Sequence, residues 1–142
     1  EHLARTNRIY LPALEAAAAR GRSAGRVRRD ALRPGWLGRW FVNEMEPPPK
    51  RRFKAPLSEM IPSASCAKAP TLAAFREAQG EIGELVRTTS DLDLTGIRFR
   101  NPLAKNLPIF NLATGFLILA AHERRHLAQA LQVRASAGFP AP

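Results

Sequence analysis

His122 and His126 stand four residues apart in a run, Gly115 to Val133, that holds no proline and no glycine after its first residue. Ala, Leu, Gln, Glu and Arg dominate the run, so it reads as helix. On a helix that spacing sends both imidazoles off one face, one turn apart. Two neutral imidazoles so placed can grip a single divalent cation. A pair at this spacing also arises by chance and would then merely be solvated. The chain, however, carries only three histidines in 142 residues, and two are here, directly after the apolar run Phe116 to Ala121. The same residues spell H-E-x-x-H, the zinc hydrolase motif in which glutamate activates water. That chemistry needs a third ligand, normally downstream, and the sixteen residues after His126 contain no His, Asp, Glu or Cys. A zinc hydrolase therefore stays a minor alternative. The other source of a third ligand lies upstream, where His2 is the one remaining histidine. A histidine near the start of one helix and a pair on another can converge in a helical bundle.

The elements that would position them follow from periodicity. Residues 1 to about 24 carry Leu3, Ile9, Tyr10, Ala13, Leu14 and Ala17 at steps of three and four, which predicts a first helix ending at Gly21 to Gly25. Pro12 lies inside it and predicts a kink at the carbonyl of Arg8. His2 shares a side with Thr6, Ile9 and Ala13 and is expected to face inward. From 26 to 70 the chain is basic and proline-rich: seven of twelve prolines fall between Pro34 and Pro70, among them Pro47, Pro48 and Pro49. This excludes a long regular element there, except a short helix over 35–45 carrying Trp36, Leu37, Trp40 and Phe41. Phe53, Leu57, Met60 and Ile61 are candidate anchors for a loop wrapped as a lid over a bundle mouth. A second helix is expected from Thr71, as N-cap, to about Thr88, burying Leu72, Phe75, Ile82, Leu85 and Val86, with Gly80 and Gly83 allowing close approach of a neighbour. Asp91 to Gly96 reads as turn; its two aspartates lack the terminal glutamate of a calcium loop. An irregular strap follows over 98–102. The last helix is expected to open near Asn106-Leu107-Pro108 and to end near Ala135, closed by Gly138, Pro140 and Pro142.

These residues together resemble a known family. Glu1-His2-Leu3-Ala4-Arg5 on an early helix is similar to the first histidine motif of the DinB-like superfamily. The helix over 71–88, the strap ending Asn101-Pro102-Leu103, and Phe116 to Ala130 with its histidine pair are similar to the later helices. The resemblance implies an all-α fold, a four-helix up-down bundle, here lacking its first helix and carrying a long proline-rich loop, with residues 1–142 as one domain truncated at its N-terminus. It also implies one divalent metal, nickel, zinc or iron, on His2, His122 and His126. Three protein ligands leave an open position, the catalytic arrangement for zinc. Relatives of this kind, bacterial in type, include transferases and isomerases that use low-molecular-weight thiols such as bacillithiol or mycothiol, so a metal-dependent thiol transferase acting on a small molecule is the expected activity. No residue is assigned a catalytic role. Gln129, Arg125, Asn7 and Tyr10 are the candidates for contact with substrate or ligand, and Glu123 is expected to pair with Arg5 or Arg8. A homodimer is compatible with all of this.

The formal charge is +10, and residues 20–54 hold eleven basic groups against three acidic ones. A basic nucleic-acid-associated helical protein without catalysis is accordingly the alternative reading, although no recognition motif accompanies the charge. Cys66 is the single cysteine, which rules out an intrachain disulfide and a four-cysteine zinc site. That suits a reducing compartment, and a cytoplasmic location is expected. The longest apolar run, Ile109 to Ala121, is interrupted by Asn111 and Thr114 and is too short for a membrane span.

Overall fold

Three long helices frame the chain. α1 runs His2–Ser23, α3 runs Lys68–Thr88 and α4 runs Leu112–Arg134, with a ten-residue α2 at Trp36–Met45. The computed structural model describes residues 1–28, 31–48, 51 and 54–140. The fold is mostly helical, as expected, with α1 packed against α3 and α4, and α2 packed against α4. Tyr10, Leu14 and Ala17 of α1 meet Leu112, Ile118, Leu119 and Ala121 of α4 in the buried core.

The proline in α1 does not divide it. Pro12 is exposed and the helix continues through it. The carbonyl of Arg8 that loses its partner can then be hydrated, which is why the break is tolerated on that side. α3 starts earlier than expected, at Lys68, with Ala67 as N-cap and no side-chain cap, so Thr71 is not the cap. Pro70 sits in the first turn, where amides have no intrahelical partner to lose. The buried stripe of α3 is also narrower than its periodicity suggests. Ala78 and Ile82 are buried, but Leu72 is 41% and Val86 43% exposed. Gly80 and Gly83 face open space rather than a close neighbour.

The strap and the expected start of the last helix are a hairpin instead. β1 (Arg98–Asn101) and β2 (Leu107–Asn111) pair antiparallel, Arg98 opposite Asn111 and Phe99 opposite Phe110. Alternation explains β1: Phe99 and Asn101 are buried, Arg98 and Arg100 exposed. Lys105 and Asn106 turn the chain with φ of 51° and 58°. α4 then begins at Leu112, where Asn111 accepts the Thr114 amide at 2.9 Å as N-cap. The amides of Leu112 and Ala113 donate to the carbonyls of Ile97 and Leu94, so three of the first-turn donors are satisfied. The helix ends at Arg134.

The proline-rich segment is held at both ends. Met60 is buried and Leu57 half-buried, whereas Ile61 is exposed; Phe53 lies outside the described residues, as do Pro49, Lys50, Arg52, Arg29 and Pro142. At the α2 end, a β-carbon on Gly38 would lie 2.4 Å from Thr114 Oγ1 and 2.7 Å from its methyl group. Thr114 is fully buried at the start of α4 and cannot retreat. Gly38→Ala is therefore expected to push α2 off α4 and to lower stability by about 1–3 kcal/mol, measured by urea denaturation; an unchanged midpoint would mean the two helices separate at no cost.

Candidate metal centre

His2 is the first residue of α1, and its position is fixed by a strap that residues 57–63 of the proline-rich segment form across it. Its Nδ1 lies 2.7 Å from the carbonyl oxygen of Met60, to which it donates. That bond leaves the Nε2 lone pair free. The strap is tied to the same turn by Arg5, which donates to the carbonyls of Glu59 and Ile61, and by Glu1, which accepts from the amide and hydroxyl of Ser63. No spacing rule in the sequence announces this attachment.

His122 and His126 come from the middle of α4, one turn apart. His2 Nε2 is 3.2 Å from His122 Nε2, and His126 Nε2 is 3.0 Å from the same atom. The ligand atoms of all three lie within 4.8 Å of one another. Nitrogens bound at 2.0–2.1 Å to one tetrahedral cation would stand roughly 3.3 Å apart, so the cluster has the dimensions of a metal site. The rings stand edge to face, with centroids 4.6–5.0 Å apart.

Burial sets the charge of these rings. His122 is 8% exposed. Desolvation, followed by the neighbouring His126, His2 and Arg125, pushes its pKa down to about 3. His126 is also lowered, first by desolvation and then by His2 and Arg125, while a hydrogen bond with Gln129 opposes the shift. Both rings are thus neutral at pH 7 and have lone pairs to give. The folded state binds fewer protons at His122 than the unfolded chain between pH 6.5 and 3. Its contribution to stability is therefore full above pH 6.5 and is lost as the pH falls toward 3. Metal-free protein is expected to lose up to about 1.4 kcal/mol per pH unit from this ring on going from pH 6.5 to 5. Urea midpoints across that interval test this, and a His122→Asn variant should show a flatter profile.

The cluster opens into a cleft of about 960 Å³. Tyr10, Arg125 and Gln129, all expected near the site, line this cleft together with the three histidines. The Tyr10 hydroxyl shares a hydrogen bond with the Asn101 side chain; burial outweighs it and pushes the pKa up to about 12, so the phenol keeps its proton. Arg125 is buried and donates to the carbonyls of Glu44 and Arg51, which ties the end of α2 and the following loop to α4. Asn7 is brought elsewhere: it is buried between α1 and α4, its Nδ2 donating to Glu123 Oε1 at 3.4 Å, with its Oδ1 unpaired. Glu123 thus pairs with neither expected arginine, because Arg5 is taken by Glu1 and Arg8 by Glu77. Nor does Glu123 line the cleft, as the hydrolase motif would require. Asn101, which sequence reasoning passed over, lines it; the alternation Arg98-Phe99-Arg100-Asn101 was the signal that places it inward.

The described basic residues of 20–54 are partly engaged within the chain. Arg22 pairs with Asp91 and donates to the Thr88 carbonyl, and Arg51 pairs with Glu44. Cys66 is exposed. Among the described residues no helix is long and apolar enough to cross a membrane.

Neither the curated proteins nor the solved structures contain a match to this chain. A family model described as the DinB superfamily matches residues 1–130. That span takes in α1 with His2, the hairpin, and α4 as far as both of its histidines, so the chain belongs to the DinB superfamily.

Proposed function

We propose that His2, His122 and His126 hold one divalent cation and that the protein is a metal-dependent transferase using a low-molecular-weight thiol. The convergence of three Nε2 atoms at 3.0 and 3.2 Å, at the wall of a cleft large enough for a small molecule, carries this reading. Imidazole donors suit zinc, nickel and iron alike. A cation held there supplies positive charge that lowers the pKa of a thiol or water beside it.

The chain's own residues do the positioning. The Met60 carbonyl holds the His2 tautomer, and Gln129 braces His126 from the following turn. Tyr10 keeps its hydroxyl proton and can donate it as a hydrogen bond to an oxygen of the substrate. Arg125 ties the end of α2 and Arg51 to α4 by donating to the carbonyls of Glu44 and Arg51.

The test is thiol conjugation to 1-chloro-2,4-dinitrobenzene, in which a carbon–sulfur bond forms, chloride leaves and the thiol proton goes to solvent. A panel of low-molecular-weight thiols should include at least one whose conjugation is accelerated by metal-loaded protein, with the gain lost on chelation and in His126→Ala. Acceleration that survives both treatments would remove the metal from the reaction.

A further inference from the structure

The cleft's lining says more about its ligand than the three histidines do. One wall is the inner face of α2, with Phe41 and Met45, and Trp40 at its margin. Phe110 of β2 and Ile118 of α4 also line the cleft. The rings of Phe41 and Phe110 lie 5.6 Å apart and form a continuous aromatic surface. Trp40 is half exposed although it lines the cleft, a large apolar ring with a face for a ligand to cover. The charge of the lining has one sign. Arg125 and Lys54 line the cleft, and no Asp or Glu does so among the described residues. Three neutral imidazoles would add nothing to offset the double charge of a bound cation.

We infer that this cleft takes an apolar-bodied monoanion: a ring or compact hydrocarbon body against Trp40, Phe41 and Phe110, with one small anionic head directed at the histidines. This rests on the metal reading above for its head and on the α2 wall for its body. The volume suits a drug-sized molecule rather than a polymer.

Trp36→Phe leaves Trp40 as the single tryptophan, so fluorescence reports filling of the cleft in metal-loaded and chelator-treated protein alike. Two pairs of probes separate body from head. Benzyl mercaptan and 2-mercaptoethanol are thiols of similar acidity with different bodies; phenylacetate and phenylacetamide share a body and differ in charge. In loaded protein the first of each pair is expected to half-saturate at a concentration at least about tenfold lower than the second. Phe41→Ala should remove most of the body preference with metal content unchanged, and Met45→Ala on the same wall makes the measurement independently. Chelation should weaken phenylacetate and leave phenylacetamide where it was. Equal affinities within either pair, or a body preference that survives both substitutions, overturn the inference. A chain that takes up no metal sinks the metal reading instead, and the body preference is then decided by the same fluorescence on the metal-free protein.

Discussion

Replacing His122 with alanine is expected to take the metal content of the purified protein from about one ion per chain to near zero. Of the three imidazoles it is the central one: its Nε2 is the atom within 3.2 Å of both others. Removing it leaves two donors from different elements, and two imidazoles hold a divalent cation far more weakly than three. His2→Ala and His126→Ala should each lower the content as well. His2→Ala has a second effect, since it also frees the Met60 carbonyl that anchors the strap. The ring of His122 lies at the wall of the cleft, where water can enter the space its removal leaves, so the fold should survive the substitution. Metal analysis beside circular dichroism reads both quantities. A His122→Ala protein that is folded and still carries one ion per chain would place the metal elsewhere.

The histidine pair was legible because helical spacing is a local property. One turn of helix fixes the relation of His122 to His126 whatever the rest of the chain does. His2 was reached by elimination and by family resemblance, and its approach to α4 depends on long-range packing that no spacing encodes. The strap shows the limit most clearly. Met60 and Ile61 are adjacent and both apolar, yet one is buried and the other exposed, and the backbone carbonyl of Met60 rather than its side chain meets His2. A carbonyl has no signature in a sequence. The hairpin was missed for another reason. Pro102 follows β1 directly and Pro108 lies inside β2, where proline argues against a strand, and five residues of strand are too few for alternation to stand out against a following helix. Leu72 and Val86 failed differently: their periodicity is helical, but α3 packs chiefly against α1, so only a narrow face is covered.

The start of α4 depends on one side chain, and its loss should be costly. Asn111 Oδ1 accepts from the Thr114 amide at 2.9 Å and from the Thr114 hydroxyl at 2.6 Å. Its Nδ2 donates to the carbonyls of Arg33 at 3.0 Å and Thr95 at 3.1 Å. One amide thus caps the helix that carries the histidine pair and ties it to the segment before α2 and to the turn before β1. Asn111→Ala removes the cap, worth about 1–2 kcal/mol, and leaves partners in a largely buried place unsatisfied, at about 1–3 kcal/mol for each that water cannot reach. These terms do not add in full, and a total loss of roughly 3 kcal/mol or more is expected. Asn111→Asp separates the two halves of the role. A carboxylate still accepts from Thr114 and favours a helix N-terminus, but it turns an acceptor toward two carbonyl oxygens that need a donor. If the cap alone mattered, Asp would be nearly neutral; if the tie matters, it should cost about as much as alanine. Urea denaturation of the two variants decides between these, and a loss below about 1 kcal/mol for Asn111→Ala would mean that water replaces the whole network. The histidines lie three and four turns further along the same helix, so refolded Asn111→Ala protein should still take up metal, with its defect confined to stability.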